Sequence, residues 1–329
     1  MAPFSLRSSP KSRPRCGEAG TANVLLELFY LDSVNYPDSG SLKRPRFGLA
    51  CGDDTAEHLG LWRRYRLFSE SRTMASEMAV ALSGRRNFSK PKNWQMASVS
   101  EVIIETPETK TLRLALVDSD GFLPGQYYNI RIPVEGRPRP IQRAYSIGSS
   151  PLPDASVIDV GIRDTPGGLV SPVLVHQVSP GDQLEVRGPY GNFTWTERDG
   201  GPVLLVGAGS GVVPLMSMIR YQIQKGSSQP MHLLFSSKSY EFAIYGDELG
   251  ELATAYDWLT VSHTFTRDSA DERARFSRRI DKEMVAEILP EINARLSYIC
   301  GPPEMVECVE QALVGLGMHP DSVKTEKYD

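Results

Sequence analysis

The feature that most constrains this chain is a change of hydrophobic period at ERDGG, residues 197–201. Upstream, apolar residues recur at every second position in short runs. Downstream, continuous apolar runs alternate with stretches of period 3.6. A period of two builds half-buried strands, whereas unbroken apolar strands between helices build a parallel sheet covered on both faces. One chain therefore carries two architectures in series.

From Trp94, ASVSEVIIETPETKTLRLALVD predicts two strands around a turn at ETPETK, with Val99, Val102 and Ile104, then Leu112, Leu114 and Leu116, facing inward. LPGQYYNIRIPV adds a strand after a Pro-Gly turn, with Tyr127, Ile130 and Ile132 inward. RAYSIGSSP (143–151), VIDVGIRD (157–164) and DQLEVRGPYGNF (182–193) continue the series at the spacing of a small antiparallel barrel. ERDGG reads as a linker. Beyond it PVLLVGAG, MHLLFSSKS, WLTVSHTFT and LSYICGPP are strands, and VVPLMSMIRYQIQ, YGDELGELATAY, IDKEMVAEILP and PEMVECVEQALVGLG are helices.

Residues 1–92 have a different texture. VLLELFYL (24–31) is their one solid apolar run and RTMASEMAVALSGRR (72–86) could form a short helix; a poorly ordered extension is expected. Two readings stay open there: translation starting at Met74 or Met78, or a small interaction segment. The first twenty residues lack the apolar stretch of a secretory signal, and Glu18, Glu27, Asp32 and Asp38 count against a transit peptide.

Composition narrows the function. A formal net charge of -4 over 329 residues does not suit a nucleic-acid binder. No run reaches the roughly 18 apolar residues of a membrane helix. Cys16, Cys51, Cys300 and Cys308 make neither a CxxC pair nor a plant-type cluster pattern, so no iron–sulfur cluster is expected on this chain. No metal site is expected either. The thiols read as reduced, in a cytoplasmic protein.

Three places carry chemistry. Arg143, Ala144, Tyr145 and Ser146 are followed by Gly167, Gly168, Leu169, Val170 and Ser171 at the head of SPVLVHQV. A guanidinium and backbone amides suit a pyrophosphate, and a tyrosine suits a flat ring. A strand with an exposed Arg and a packed Tyr is the plain alternative. Gly207, Gly209, Ser210 and Gly211 form a strand-to-helix turn that lets a pyrophosphate approach a helix N-terminus, although Val212 stands where GxGxxG requires its third glycine. A turn without a ligand is the alternative. Cys300, Gly301 and Pro302 end a strand where parallel sheets bind ligands, or Cys300 is simply a small buried hydrophobe.

RAYS, GGLVS, GPYG, VGAGSGVVPLMSMIR, CGPPEMVE and TEKYD, in this order over about residues 95–329, closely resemble the ferredoxin–NADP reductase superfamily. They come nearest to bacterial stand-alone FAD-binding oxidoreductases related to oxygenase reductase components. The resemblance implies a six-stranded antiparallel Greek-key FAD barrel over 93–197. A five-stranded-type parallel α/β domain for NAD(P) would follow over 200–329. It implies that Arg143, Tyr145 and Ser146 bind FAD and that Gly168 to Ser171 hold its pyrophosphate. Gly209 to Gly211 would cradle the nucleotide's pyrophosphate, and Cys300 to Pro302 would border its nicotinamide. Tyr328 would shield the flavin, with Glu326 near the hydride path; Ser146 and Cys300 complete the candidate catalytic set.

The expected activity is hydride transfer between NAD(P)H and FAD, with electrons passing to or from a separate carrier such as a ferredoxin, an oxygenase or a molybdenum-cofactor oxidoreductase. Reduction of quinones, nitro compounds or free flavins is the alternative. Ser236, Ser237 and Lys238 after the second α/β strand, Arg267 after the next, and Arg278 and Arg279 before IDKEM favour NADPH over NADH, because no Asp or Glu stands at that strand end. A solvated basic face is the alternative.

Overall fold

The computed structural model describes residues 93–328. The expectations for residues 1–92 lie outside the described residues.

Six antiparallel strands form the first half: β1 (Gln95–Thr106), β2 (Thr109–Leu116), β3 (Tyr127–Ile132), β4 (Ile141–Ser146), β5 (Val157–Arg163) and β6 (Gln183–Tyr190). Their order is β4-β3-β6-β1-β2-β5. A bridge between Ile147 and Val160 joins the two ends, so the sheet closes on itself as a barrel. Leu112, Leu114, Tyr128, Ile130, Ile158 and Val186 fill it.

Strict alternation fails in two places. Val99 and Val102 are three apart, and a register shift between Val99 and Glu101 reconciles them. Val102 packs on the core, but Ile104, opposite Lys110 at the hairpin end, is 74% exposed. The expected inward position of Ile104 is thus corrected: a second register shift falls between Ile104 and Thr106, and at the hairpin end Thr106 and Thr109 are the buried residues. In β3 it is Tyr128, not Tyr127, that shares the inward face with Ile130 and Ile132.

The helix α1 (Ser171–His176) links β5 to β6. The second half has β7 (Val203–Ala208), α2 (Val212–Lys225), β8 (Met231–Ser237), α3 (Gly246–Ala255), β9 (Leu259–Phe265), β10 (Ala274–Phe276), α4 (Lys282–Ile292), β11 (Leu296–Gly301), α5 (Pro303–Gly315) and β12 (Val323–Lys327). The sheet order is β10-β9-β8-β7-β11-β12 and every pairing is parallel. The sheet has six strands where five were expected. The short β10 and the C-terminal TEK segment, β12, both join it. Helices α2 and α3 pack on one face, α4 and α5 on the other. No helix among the described residues is long and apolar enough to cross a membrane.

Helix α2 is buried almost all round, because the sheet covers one side and the barrel the other. Val213 reaches so close to Gly148 and Gly161 of the barrel that a Cβ on Gly161 would lie 2.5 Å from its methyl group. Ser217 Oγ donates to the Ser149 carbonyl at 2.7 Å and Arg220 donates to the Gly148 carbonyl at 2.8 Å. The ERDGG segment is not a slack tether. Glu197 accepts from the Tyr221 hydroxyl at 2.6 Å, and Trp195 beside it is fully buried.

Candidate functional site

Two cavities adjoin at the contact of barrel and sheet. The larger, about 880 Å³, runs along the barrel; the smaller, about 490 Å³, lies at the carboxyl ends of the parallel strands. Arg163, Pro302 and Tyr328 belong to the walls of both.

Arg143, Ala144, Tyr145 and Ser146 all line the larger cavity from β4. The Arg143 guanidinium donates to the Gln142 carbonyl at 2.9 Å and makes no ion pair among the described residues, so its charge is available to an anion. Burial pushes the Tyr145 hydroxyl up to about 12, which keeps it a neutral ring with one donor. Opposite stand Gly168, Leu169, Val170 and Ser171. Gly167, at φ 79, shapes the turn without lining the cavity. The Gly168 N–H already donates to Thr165, 2.8 Å away, so that amide is not free for a phosphate. Asp164 Oδ1 is buried with no hydrogen-bond partner among the described residues, an acceptor on the cavity wall that a bound donor would satisfy.

The Gly-rich turn divides its labour. Ser210 faces the larger cavity and Gly209 the smaller. Gly207 and Gly211 line neither. A Cβ on Gly211 would lie 2.1 Å from the Cys300 carbonyl oxygen, and one on Gly207 3.0 Å from Leu215. These glycines allow α2 to start against the sheet, and at Gly211, expected to cradle a pyrophosphate, the close approach to β11 by itself requires a residue without a Cβ. Gly301 also lies behind the walls, where a Cβ would meet Met305 at 2.5 Å, while Cys300 and Pro302 reach the cavity.

At the junction, register pairs Cys300 on β11 directly with Glu326 on β12. The Cys300 thiol points at Glu326 Oε2, 3.9 Å away. Burial pushes the Glu326 carboxyl up to about 7, so it exchanges a proton near neutrality. Burial and the neighbouring carboxylate drive the Cys300 thiol well above its ordinary range, which makes it a neutral donor rather than a nucleophile. The Tyr328 hydroxyl donates to the Ala208 carbonyl and ties the chain's end to the Gly-rich turn.

In the smaller cavity Ser236, Ser237, Lys238 and Arg279 line the wall. Lys238, however, is ion-paired to Glu108 from the barrel. Arg267 does not reach the cavity; its backbone N–H donates to the Lys238 carbonyl at 2.8 Å. Arg278 is paired with Asp281 at 2.6 Å. Sequence reasoning missed Tyr127, Arg163, Asp164 and Glu108. For Arg163 a signal existed, a cation closing the alternating strand VIDVGIRD. For Glu108 there was none, since its partner lies 130 residues away.

The chain matches the family models described as oxidoreductase FAD-binding domain over residues 96–195 and oxidoreductase NAD-binding domain over residues 205–311. It is 30% identical to the ferredoxin–NAD(P)(+) reductase component of naphthalene 1,2-dioxygenase/salicylate 5-hydroxylase systems from Ralstonia sp., over 70% of this chain and 68% of that one. It is 32% identical to ferredoxin–NADP reductase B of Sorangium cellulosum, over 68% of this chain and 93% of that one. Other oxygenase reductase components are spanned over 60 to 64% of their length. A ferredoxin NADP+ reductase structure from Neisseria gonorrhoeae, with bound FAD and NADP, shares the fold at a TM-score of 0.61 and 22% identity, covering 72% of this chain and 99% of that one.

Proposed function

The chain belongs to the FAD- and NAD-binding oxidoreductases of the ferredoxin-reductase type, and from that premise we propose that it draws reducing equivalents from NAD(P)H and passes them to a separate electron carrier. Bound FAD would supply the chemistry, accepting a hydride and releasing its electrons singly or as a pair. The protein's part is position and electrostatics.

The observation that carries this reading is the junction of the cavities: Arg163, Pro302 and Tyr328 serve both walls, with Cys300 and Glu326 beside them in the larger. Two flat ligands, one in each cavity, would meet there. The larger cavity fits FAD in its donor set. Arg143 would pair with the pyrophosphate, Tyr127 and Tyr145 would flank the ring, and Ser146 and Ser171 would offer hydroxyls. Segment 93–197 then serves as the FAD domain and 200–329 as the NAD(P) domain. Tyr328 would cover the ring face, held by its bond to Ala208. Glu326, protonated or charged near neutrality, would hold a proton at its carboxyl beside the Cys300 thiol.

The described residues hold two cysteines, Cys300 and Cys308, both free thiols. Free thiols suit the cytoplasm, and a ferredoxin or an oxygenase component would take the electrons, as the names of the relatives suggest. The test is anaerobic: the purified protein should carry FAD whose absorbance NADPH or NADH bleaches. Arg143→Ala should weaken FAD binding by about 1.5–3 kcal/mol, the worth of a charge-assisted contact. A colourless protein that takes up no added FAD would end this reading.

A further inference from the structure

We propose that Glu108, on the β1–β2 hairpin of the barrel, is a specificity-determining residue for the nicotinamide nucleotide: its carboxylate contests Lys238 with the 2′-phosphate of NADPH and so turns the site towards NADH. This rests on the smaller cavity being the nucleotide site.

In dinucleotide-binding sheets, an acidic residue beside the adenosine ribose accepts the 2′-hydroxyl and repels a 2′-phosphate, whereas nearby cations welcome the phosphate. The carboxyl end of β8 in this chain carries Ser236, Ser237 and then Lys238, with no acid. Taken alone, that end favours NADPH. The barrel offsets the Lys238 charge. Thr106, Glu108 and Thr109 form a wall of the smaller cavity together with Ser236, Ser237 and Lys238. Glu108 Oε1 accepts from Lys238 Nζ, and its Oε2 lies 3.7 Å from Arg163 Nε. One carboxylate thus engages two of the cations on this wall.

The hairpin holds Glu108 in place. Its N–H donates to Thr106 Oγ1 at 3.2 Å, and its carbonyl accepts from the Asp164 N–H at 2.7 Å. Lys238 is seated too, its Nζ 4.6 Å from the centre of the Phe242 ring. Both charged groups are partly open to solvent, 26% for Lys238 and 37% for Glu108. A pair so exposed is weakly held, so its consequence lies in the charge it presents to a ligand rather than in stability. Arg279, which has no ion-pair partner among the described residues, remains the cation on this wall that a 2′-phosphate can reach without displacing a carboxylate.

NAD+ and NADP+ differ only in the 2′-phosphate, so the ratio of their affinities isolates the effect. Calorimetric titration of the FAD-loaded protein with each nucleotide should show Glu108→Gln raising the NADP+ to NAD+ affinity ratio by about fivefold or more. Adding Lys238→Gln to that variant should cancel most of the gain. In the wild-type background Lys238→Gln should move the ratio less than it does beside Glu108→Gln. The ratio of kcat/KM for NADPH and NADH should follow the same order. An unchanged or lowered affinity ratio in Glu108→Gln would overturn the proposal. Should that variant fold poorly, Glu108→Asp, which withdraws the carboxylate by one methylene, must shift the ratio in the same direction or the proposal fails. If neither nucleotide bleached the wild-type flavin, the functional reading would fall, while the calorimetric ratio would still decide the role of Glu108.

Discussion

Glu326 shows how the end of the chain becomes chemically useful. In an unfolded chain this carboxyl has an ordinary acidic pKa near 4.5; burial in the strand beside Cys300 lifts it to about 7. The folded state therefore binds a proton that the unfolded state has released between those values. Linkage then gives the sign: this residue's contribution to stability is fully present below about pH 4.5 and is lost as pH rises through 7. The whole effect is on the order of 3 kcal/mol. Glu326→Gln removes the titration, so the variant should melt above the wild type at pH 8 and converge with it towards pH 5. Thermal unfolding across that range checks this, and parallel curves would place Glu326 in water rather than beside a buried thiol.

At the scale of elements, the start of α2 decides where the nucleotide turn sits. Gly211 has an ordinary helical backbone, φ -64, so its glycine is required by space and not by conformation. The Cβ of alanine would meet the carbonyl oxygen of Cys300 at 2.1 Å, and backbone cannot swing aside as a side chain can. Gly211→Ala should cost about 1–3 kcal/mol or more through overpacking. It should also disturb Cys300, and hence the rate of flavin reduction. Gly250, exposed in α3 with nothing within 4 Å of its Cβ position, is the control. Gly250→Ala should be neutral or stabilise by about 0.5–1 kcal/mol. Urea unfolding of the two variants separates the effects; equal outcomes would remove the close approach of α2 to β11 as the reason for Gly211.

At the scale of the whole molecule, barrel and sheet are joined by bonds as well as apolar contact. The Tyr298 hydroxyl donates to the Thr194 carbonyl at 3.0 Å, the Tyr245 and Thr111 hydroxyls lie 3.3 Å apart, and α2 grips Gly148 and Ser149. Among the described residues, those lining the two cavities lie between Thr106 and Tyr328, and the matched family regions begin at residue 96. A chain beginning at Ser89 should therefore fold, retain FAD and be bleached by NAD(P)H at the rate of the full chain. Flavin content and stopped-flow reduction of the shortened protein measure this. Loss of flavin on shortening would give residues 1–88 a part in the site.

The sequence by itself determined the two architectures and their order, because hydrophobic period is a local property set by how strands and helices bury their faces. It also pointed to Arg143 to Ser146, the turn at Gly209, and Cys300, all of which line one or other cavity, since strand ends and glycine turns announce themselves within a few residues. Tertiary structure alone decided that Gly211 has no room for a Cβ, that Ile104 faces water, that Arg163 stands between both cavities, and that Glu108 takes Lys238. Arg163 and Glu108 depend on the barrel meeting the sheet, Gly211 on the approach of α2 to β11, and Ile104 on the irregular register of the β1–β2 pair. Contacts across 130 residues of chain leave no trace in a period of two or 3.6.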